Sequence, residues 1–294
     1  MKDYQLHIPE PDKYFFVPKE VVKFLHRIEK LSEKYPVNVL ITGKQGCGKS
    51  SLVRQFAAYF KRPLATFQIG LLTEPGQLFG QYEIKNGETI YQENLFPKAI
   101  TTPKCVIHLE EINRPEHPKA LNELFSVLSE DRCIWIDQLG LVRVSKGIVF
   151  FATMNEGDEF IGTEFLDTAL RDRFYIIHMD YLPASVEKQL LTLKTRVSEE
   201  KADLIVRVIN KLRNDPQNSI SISIRHSLMV AELVALGATI KEAITYSLQI
   251  SKDMLESLLL SLHVETEDIT PEKENYVLFT SNGVGSESKK DVQF

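Results

Sequence analysis

The sequence has no apolar run approaching the roughly 18 residues that a membrane-spanning helix requires, so no membrane role is expected. Its first residues, Met1-Lys2-Asp3-Tyr4-Gln5, are polar and do not read as a signal peptide. Cysteine is scarce. Cys47, Cys105 and Cys133 make an odd set without metal-ligand spacing, which argues against a disulfide framework and suits a reducing cytoplasm. A positive excess is missing too: 35 Lys and Arg stand against 40 Asp and Glu, a formal net charge of −5. No global field draws such a chain to nucleic acid, and direct binding to it is not expected. Internal repeats are also absent. What is present is an ordinary globular composition, 43% hydrophobic and 26% charged, over 294 residues. That length suggests about two domains.

The most informative stretch is Gly43-Lys44-Gln45-Gly46-Cys47-Gly48-Lys49-Ser50, a complete G-x-x-x-x-G-K-[ST] phosphate loop. The apolar, β-branched run Val37-Asn38-Val39-Leu40-Ile41 precedes it, and Leu52, Val53, Phe56, Ala57 and Phe60 follow at helical spacing. Glycines let backbone N–H groups turn inward around an anion, and the helix N-terminus adds partial positive charge. Lys49 is expected to neutralise the β- and γ-phosphates, and the Ser50 hydroxyl to ligate Mg²⁺. Expected nucleotide contacts are therefore Gly43 to Ser50 with Ser51. Cys47 reads as a small residue at a variable loop position.

Further strands are expected at 64–69, 105–109, 148–153 and 175–179, and helices at 19–34 and 117–129. Residues 82–91 read as a hairpin around Asn86-Gly87, since a type I′ turn needs φ > 0 at both positions. A second hairpin joins 133–136 to 141–144. Strands alternating with helices imply an α/β fold, a parallel sheet flanked by helices, whose ligands sit at the strands' C-terminal ends. After Pro183 only helical patterns remain, near 186–195, 199–213, 225–236, 240–250 and 253–262, which reads as a separate all-α domain. The expected organisation is a nucleotide-binding domain over 1–182, an α-helical lid over 183–264, and a weakly ordered tail over 265–294 in which Tyr276-Val277-Leu278-Phe279 could dock.

Binding a triphosphate is not hydrolysing it. Hydrolysis needs an acid on the Mg²⁺ side, a group that orients water, a γ-phosphate sensor and a cation for charge built up in transfer. Glu110 and Glu111, at the end of an apolar strand, supply the first two, one carboxylate facing the metal's water shell and the other the attacking water. Asn155, at the tip of the next strand, can bond both water and γ-phosphate. Arg171 and Arg173 read alone as a solvated surface pair, and Arg225 as part of a helix cap.

The order and spacing of these parts resemble those of the AAA+ ATPases, specifically the MoxR-like branch with its CbbQ/NorQ-type activators. Gly43–Ser50 is similar to Walker A, Ile107-His108-Leu109-Glu110-Glu111-Ile112-Asn113-Arg114 to that branch's "DEINR" Walker B, and Phe151-Ala152-Thr153-Met154-Asn155 to sensor 1. Gly162-Thr163, then Ala169-Leu170-Arg171-Asp172-Arg173-Phe174, resembles the stretch ending in "DRF" that supplies the arginine finger. Asp180-Tyr181-Leu182-Pro183 and Ser223-Ile224-Arg225 look like the lid with sensor 2. The resemblance covers about residues 14–262. Two departures stand out: Glu110 replaces the usual Walker B aspartate, and Gln45 stands where the loop often has proline.

The resemblance implies a ring, a hexamer, in which Arg173 reaches a neighbour's nucleotide, with Arg171 as the alternative finger. It implies ATP and Mg²⁺ as cofactors, GTP remaining open, with base contacts around Phe16-Val17-Pro18, Val17 in particular. The two hairpins look like the helix-2 and pre-sensor-1 inserts that face a central pore. The expected function is ATP-driven remodelling of a protein client, with a partner carrying a von Willebrand factor A domain. The alternatives are a McrB-like GTP-dependent motor of a DNA-restriction complex, and a slowly hydrolysing structural ring.

Overall fold

The computed structural model describes residues 6–74, 76–114, 121–155, 167–214, 221–248 and 276–280. The expected helix at 253–262, the Gly162-Thr163 stretch and most of the tail lie outside the described residues. In chain order the elements are β1 (Phe16–Pro18), α1 (Lys19–Ser32), β2 (Val37–Gly43), α2 (Lys49–Tyr59), β3 (Leu64–Gln68), β4 (Gly80–Lys85), β5 (Glu88–Glu93), α3 (Leu95–Thr101), β6 (Val106–Glu110), α4 (Asn122–Leu128), β7 (Cys133–Ile136), β8 (Gly140–Arg143), β9 (Val149–Asn155), α5 (Thr168–Arg171) and β10 (Tyr175–Met179). Then come α6 (Ala184–Thr195), α7 (Glu199–Asn214), α8 (Ile224–Ala235), α9 (Ile240–Ser247) and β11 (Tyr276–Leu278). No helix among the described residues is long and apolar enough to cross a membrane.

Backbone contacts divide the chain into two compact units. The first comprises Met1–Pro11, Glu20–Gly43 and Lys49–Met179. Its centre is a five-stranded sheet in the order β10-β2-β9-β6-β3, parallel throughout. Every residue of β2 and β9 is buried. That is why both read as continuous apolar runs rather than alternating ones: each face of the sheet is covered. Leu40, Ile107 and Phe150 pack into one core with Phe96 and Leu124. Phe56 of α2 meets Phe151 edge-on, ring centres 4.9 Å apart. The β4–β5 and β7–β8 hairpins form separate ribbons, β4–β5 extending two residues beyond 82–91 at each end, and Asn86 and Gly87 have φ of 54° and 83°, as the turn demands.

One polar residue of β2 departs from the apolar pattern. Asn38 is buried, yet its Nδ2 donates to the carbonyls of Leu128 at 2.9 Å and Arg173 at 3.0 Å, and its Oδ1 accepts from Arg132 at 2.6 Å. Satisfied on both ends, it stabilises rather than disrupts the strand.

The second unit comprises Asp12–Lys19, Lys44–Gly48 and Asp180–Phe294. Leu191, Ile205, Ile209, Val230 and Ile244, from α6 to α9, form its apolar centre. Beneath it Glu187 is fully buried and paired with Arg213 through two bonds of 2.7 and 2.9 Å, while Ser227 donates to Glu187 at 2.5 Å. The tail segment has a definite partner here. Tyr276–Leu278 pairs antiparallel with Phe16–Pro18, and Phe279 N–H donates to the Phe15 carbonyl at 3.0 Å.

Candidate functional site

The phosphate loop starts where β2 ends. Gly46 and Gly48 hold φ of 70° and 102°, which side chains rarely adopt, so the loop can close only with glycine there. Lys49, buried at the start of α2, donates from Nζ to the Gly43 carbonyl at 2.8 Å.

Sheet register gathers the other groups of the first unit. Gly43 lies beside Asn155, the last residue of β9, while Glu110 ends β6 beside Gln68, the last residue of β3. Parallel strands thus bring their carboxyl ends to one rim. Ser50 Oγ donates to Glu110 Oε1 at 2.6 Å, and Gln68 Nε2 donates to Glu110 Oε2. The glutamate, in the place of the aspartate of the resemblance, reaches the serine. A hydroxyl and a carboxylate at this spacing are hard oxygen donors that fit Mg²⁺.

Glu111 leaves the strand in the left-handed region, with φ of 55°, and its side chain is 38% exposed. A non-glycine residue so placed must be held by its surroundings. Its N–H donates to Thr153 Oγ1 at 3.4 Å, and the next N–H, of Ile112, donates to the Thr153 carbonyl at 3.0 Å. Asn155 Nδ2 donates to Glu111 Oε1 at 3.4 Å, and Arg114 lies 3.7 Å from Oε2. Behind this turn His108 is buried with Nε2 3.3 Å from Thr153 Oγ1. Burial pushes its pKa down to about 4, so the ring is neutral near pH 7.

In the second unit, the loop tip Lys44–Gly48 meets residues far along the chain. Lys44 Nζ lies 3.2 Å from Asp180 Oδ1 and 5.3 Å from the centre of the Tyr181 ring. The Tyr181 hydroxyl donates to the Gln45 carbonyl at 3.1 Å. Gly46 abuts Ser223: a Cβ at position 46 would come within 2.3 Å of the Ser223 Cβ. Ser223 caps α8 in a reciprocal arrangement with His226, and the exposed Arg225 follows two residues later. Val17 is fully buried in the ribbon of β1 and β11.

The two arginines near α5 differ. Arg171 is exposed. Arg173 donates to the Ala169 carbonyl and lies 5.1 Å from the Phe125 ring centre. None of these contacts is to Glu110, Glu111 or Asn155.

Residues 38–174 match the family of the AAA domain, dynein-related subfamily. BssE of Thauera aromatica, described as a candidate chaperone, is 58% identical over 275 residues, 94% of this chain and 96% of that protein. The protein NorQ of Paracoccus denitrificans is 26% identical over 70% of this chain and 76% of its own length. The chain belongs to the AAA+ ATPases of the MoxR type. Two solved structures of Thermotoga maritima RuvB share its fold. A point mutant gives a TM-score of 0.56 at 16% identity over 89% of this chain and 87% of that one. The RuvB Holliday junction branch migration motor gives 0.52 at 17% identity over 89% and 74%. At that identity the likeness is one of fold alone.

In this AAA+ ATPase the two hairpins are neighbours, for Gln138 Nε2 donates to the Tyr82 hydroxyl. They expose Tyr82, Ile84 and Trp135, the last 67% accessible. Sequence reasoning passed over Gln68, Thr153, His108 and Tyr181. A polar side chain within or at the carboxyl end of a buried parallel strand was the available signal for the first three. Tyr181 carried no local signal, since its partners are Lys44 and Gln45.

Proposed function

We propose that this AAA+ protein hydrolyses ATP in a ring of its own copies, a hexamer, and uses the cycle to remodel a protein client together with a von Willebrand factor A-domain partner. The observation that carries the reading is the convergence of Ser50, Glu110, Glu111 and Asn155 on one rim of the sheet. Lys49 and the loop's N–H groups bind the triphosphate. Ser50 and Glu110 would hold Mg²⁺, which when bound would neutralise charge built up in phosphoryl transfer. Glu111, half-exposed and steered by Asn155, orients the attacking water and accepts its proton. Arg173 of each copy serves the nucleotide of the next, leaving its Ala169 and Phe125 contacts to do so. Arg225 engages the triphosphate as sensor 2, and Val17 lines the base. The apolar tips of the two hairpins meet the client. The description of BssE as a candidate chaperone supports a protein client over a nucleic acid one.

The test is steady-state phosphate release by the purified chain with ATP and with GTP, alongside Glu111→Gln. The expected result is ATP turnover that falls at least about 100-fold in the variant while ATP binding persists. A preference for GTP would replace the motor by the restriction-type alternative, and binding without turnover by the structural ring. The ATP-loaded Glu111→Gln ring is the bait for the client; failure to retain any von Willebrand factor A-domain protein sinks that part of the proposal.

A further inference from the structure

The peptide between Gln45 and Gly46 turns through ψ of Gln45 and φ of Gly46, and glycine, without a side chain, restrains that motion little. A peptide in this position can turn either its N–H or its carbonyl toward a bound anion. An inward carbonyl repels a triphosphate, and an inward N–H attracts it. Something must choose between the two orientations.

Tyr181 is placed to choose. Its hydroxyl donates to the Gln45 carbonyl at 3.1 Å. In a planar trans peptide the N–H of the next residue points the opposite way, so the Gly46 N–H is held facing away from Tyr181. The ring is itself anchored. Lys44 lies 5.3 Å and the Arg213 guanidinium 4.5 Å from its centre. Arg213 is fixed by Glu187 at 2.7 and 2.9 Å, by the Ile222 carbonyl at 2.9 Å and by Ser227 at 3.3 Å. The Tyr181 hydroxyl also lies 3.4 Å from Ser221 Oγ, which leaves it little freedom to swing away.

We propose that Tyr181 is a positioning residue for triphosphate binding: it holds the Gln45–Gly46 peptide with its N–H presented to the anion, tying the loop tip to the buried Glu187–Arg213 pair. The proposal rests on the reading of Gly43–Ser50 as a triphosphate cradle. It acts through the loop backbone, so it changes affinity and leaves the chemical step alone.

The test uses the full chain and ATP, comparing wild type with Tyr181→Phe. Removing the hydroxyl is expected to weaken ATP binding by about 3- to 10-fold, the effect of one backbone-directed hydrogen bond. Turnover at saturating ATP stays within about twofold, because the bond is made equally in ground and transition states. In the nucleotide-free protein, amide exchange quickens at 44–48 and not through α6–α8. Unchanged affinity in Tyr181→Phe overturns the proposal, as does faster exchange throughout α6–α8. Failure of the wild-type chain to bind ATP overturns instead the nucleotide reading on which the proposal rests.

Discussion

Ser50 Oγ donates a hydrogen bond of 2.6 Å to Glu110 Oε1, joining the first turn of the phosphate-loop helix to the end of a strand sixty residues on. The pair places two oxygens together for a hard cation. Glu110→Ala is expected to raise the Mg²⁺ needed for half-maximal turnover by roughly 10- to 100-fold, in line with the effect of losing a supporting metal-site group. Mn²⁺ binding in the presence of nucleotide, followed by its paramagnetic signal, gives the same answer without hydrolysis. An unchanged metal dependence would remove Glu110 from the metal site.

The arginine finger can be assigned by mixing subunits. Arg173→Ala should lower turnover by roughly 10³-fold, and doped into wild type it should inhibit more than dilution predicts if, as proposed, each copy serves its neighbour. Arg171→Ala should behave as a surface change, within about tenfold of wild type. If Arg171→Ala is the variant that poisons the mixture, the finger moves to the exposed residue.

The buried Glu187–Arg213 pair predicts a stability effect. Glu187 is fully buried and Arg213 nearly so. Glu187→Ala leaves a buried guanidinium uncompensated, a loss of about 3–5 kcal/mol. In a chain of this size that lowers Tm by roughly 10 °C. Replacing both with methionine should recover most of the loss, because packing then substitutes for charge; thermal unfolding of the three proteins decides it.

His26 on α1 supplies a pH dependence. Its ring meets Tyr59 and Phe60 edge-on, with centres 5.4 and 5.2 Å away. Burial lowers its pKa below 6.5, a drop only partly opposed by Glu29. The unfolded chain therefore binds the proton at a higher pH than the folded one, and stability is lost as pH falls from about 6.5 through the depressed value. Thermal unfolding between about pH 7 and pH 5 should show this slope, and His26→Phe should flatten it.

Much of the first unit was legible locally. The phosphate loop, the strands of the sheet and the Asn86-Gly87 turn are written in short-range patterns: glycine spacing, continuous apolar runs and residues that accept positive φ. Glu110, Glu111 and Asn155 were legible because each sits at the end of such a run. Asn38 was not. Nothing local in its apolar stretch marks its role, and only the carbonyls of Leu128 and Arg173, with Arg132, make it a fully bonded core residue. The helix expected from 117 begins, among the described residues, at Asn122. The tail segment could be suspected of docking, but its partner β1 lies some 260 residues earlier.

The amino-acid sequence by itself determined that this chain carries a phosphate-loop motif, that acids and an amide follow at successive strand ends, and that it belongs with the AAA+ ATPases. Those features depend on periodicity and spacing within a few residues. Only the tertiary structure decided the strand order, which sets β9 between the phosphate-loop strand and the strand of Glu110, and so lets Thr153 and Asn155 hold Glu111. It alone decided that Tyr181 fastens Gln45. Such contacts are fixed by the register of distant strands and the packing of whole helices, which no local pattern encodes.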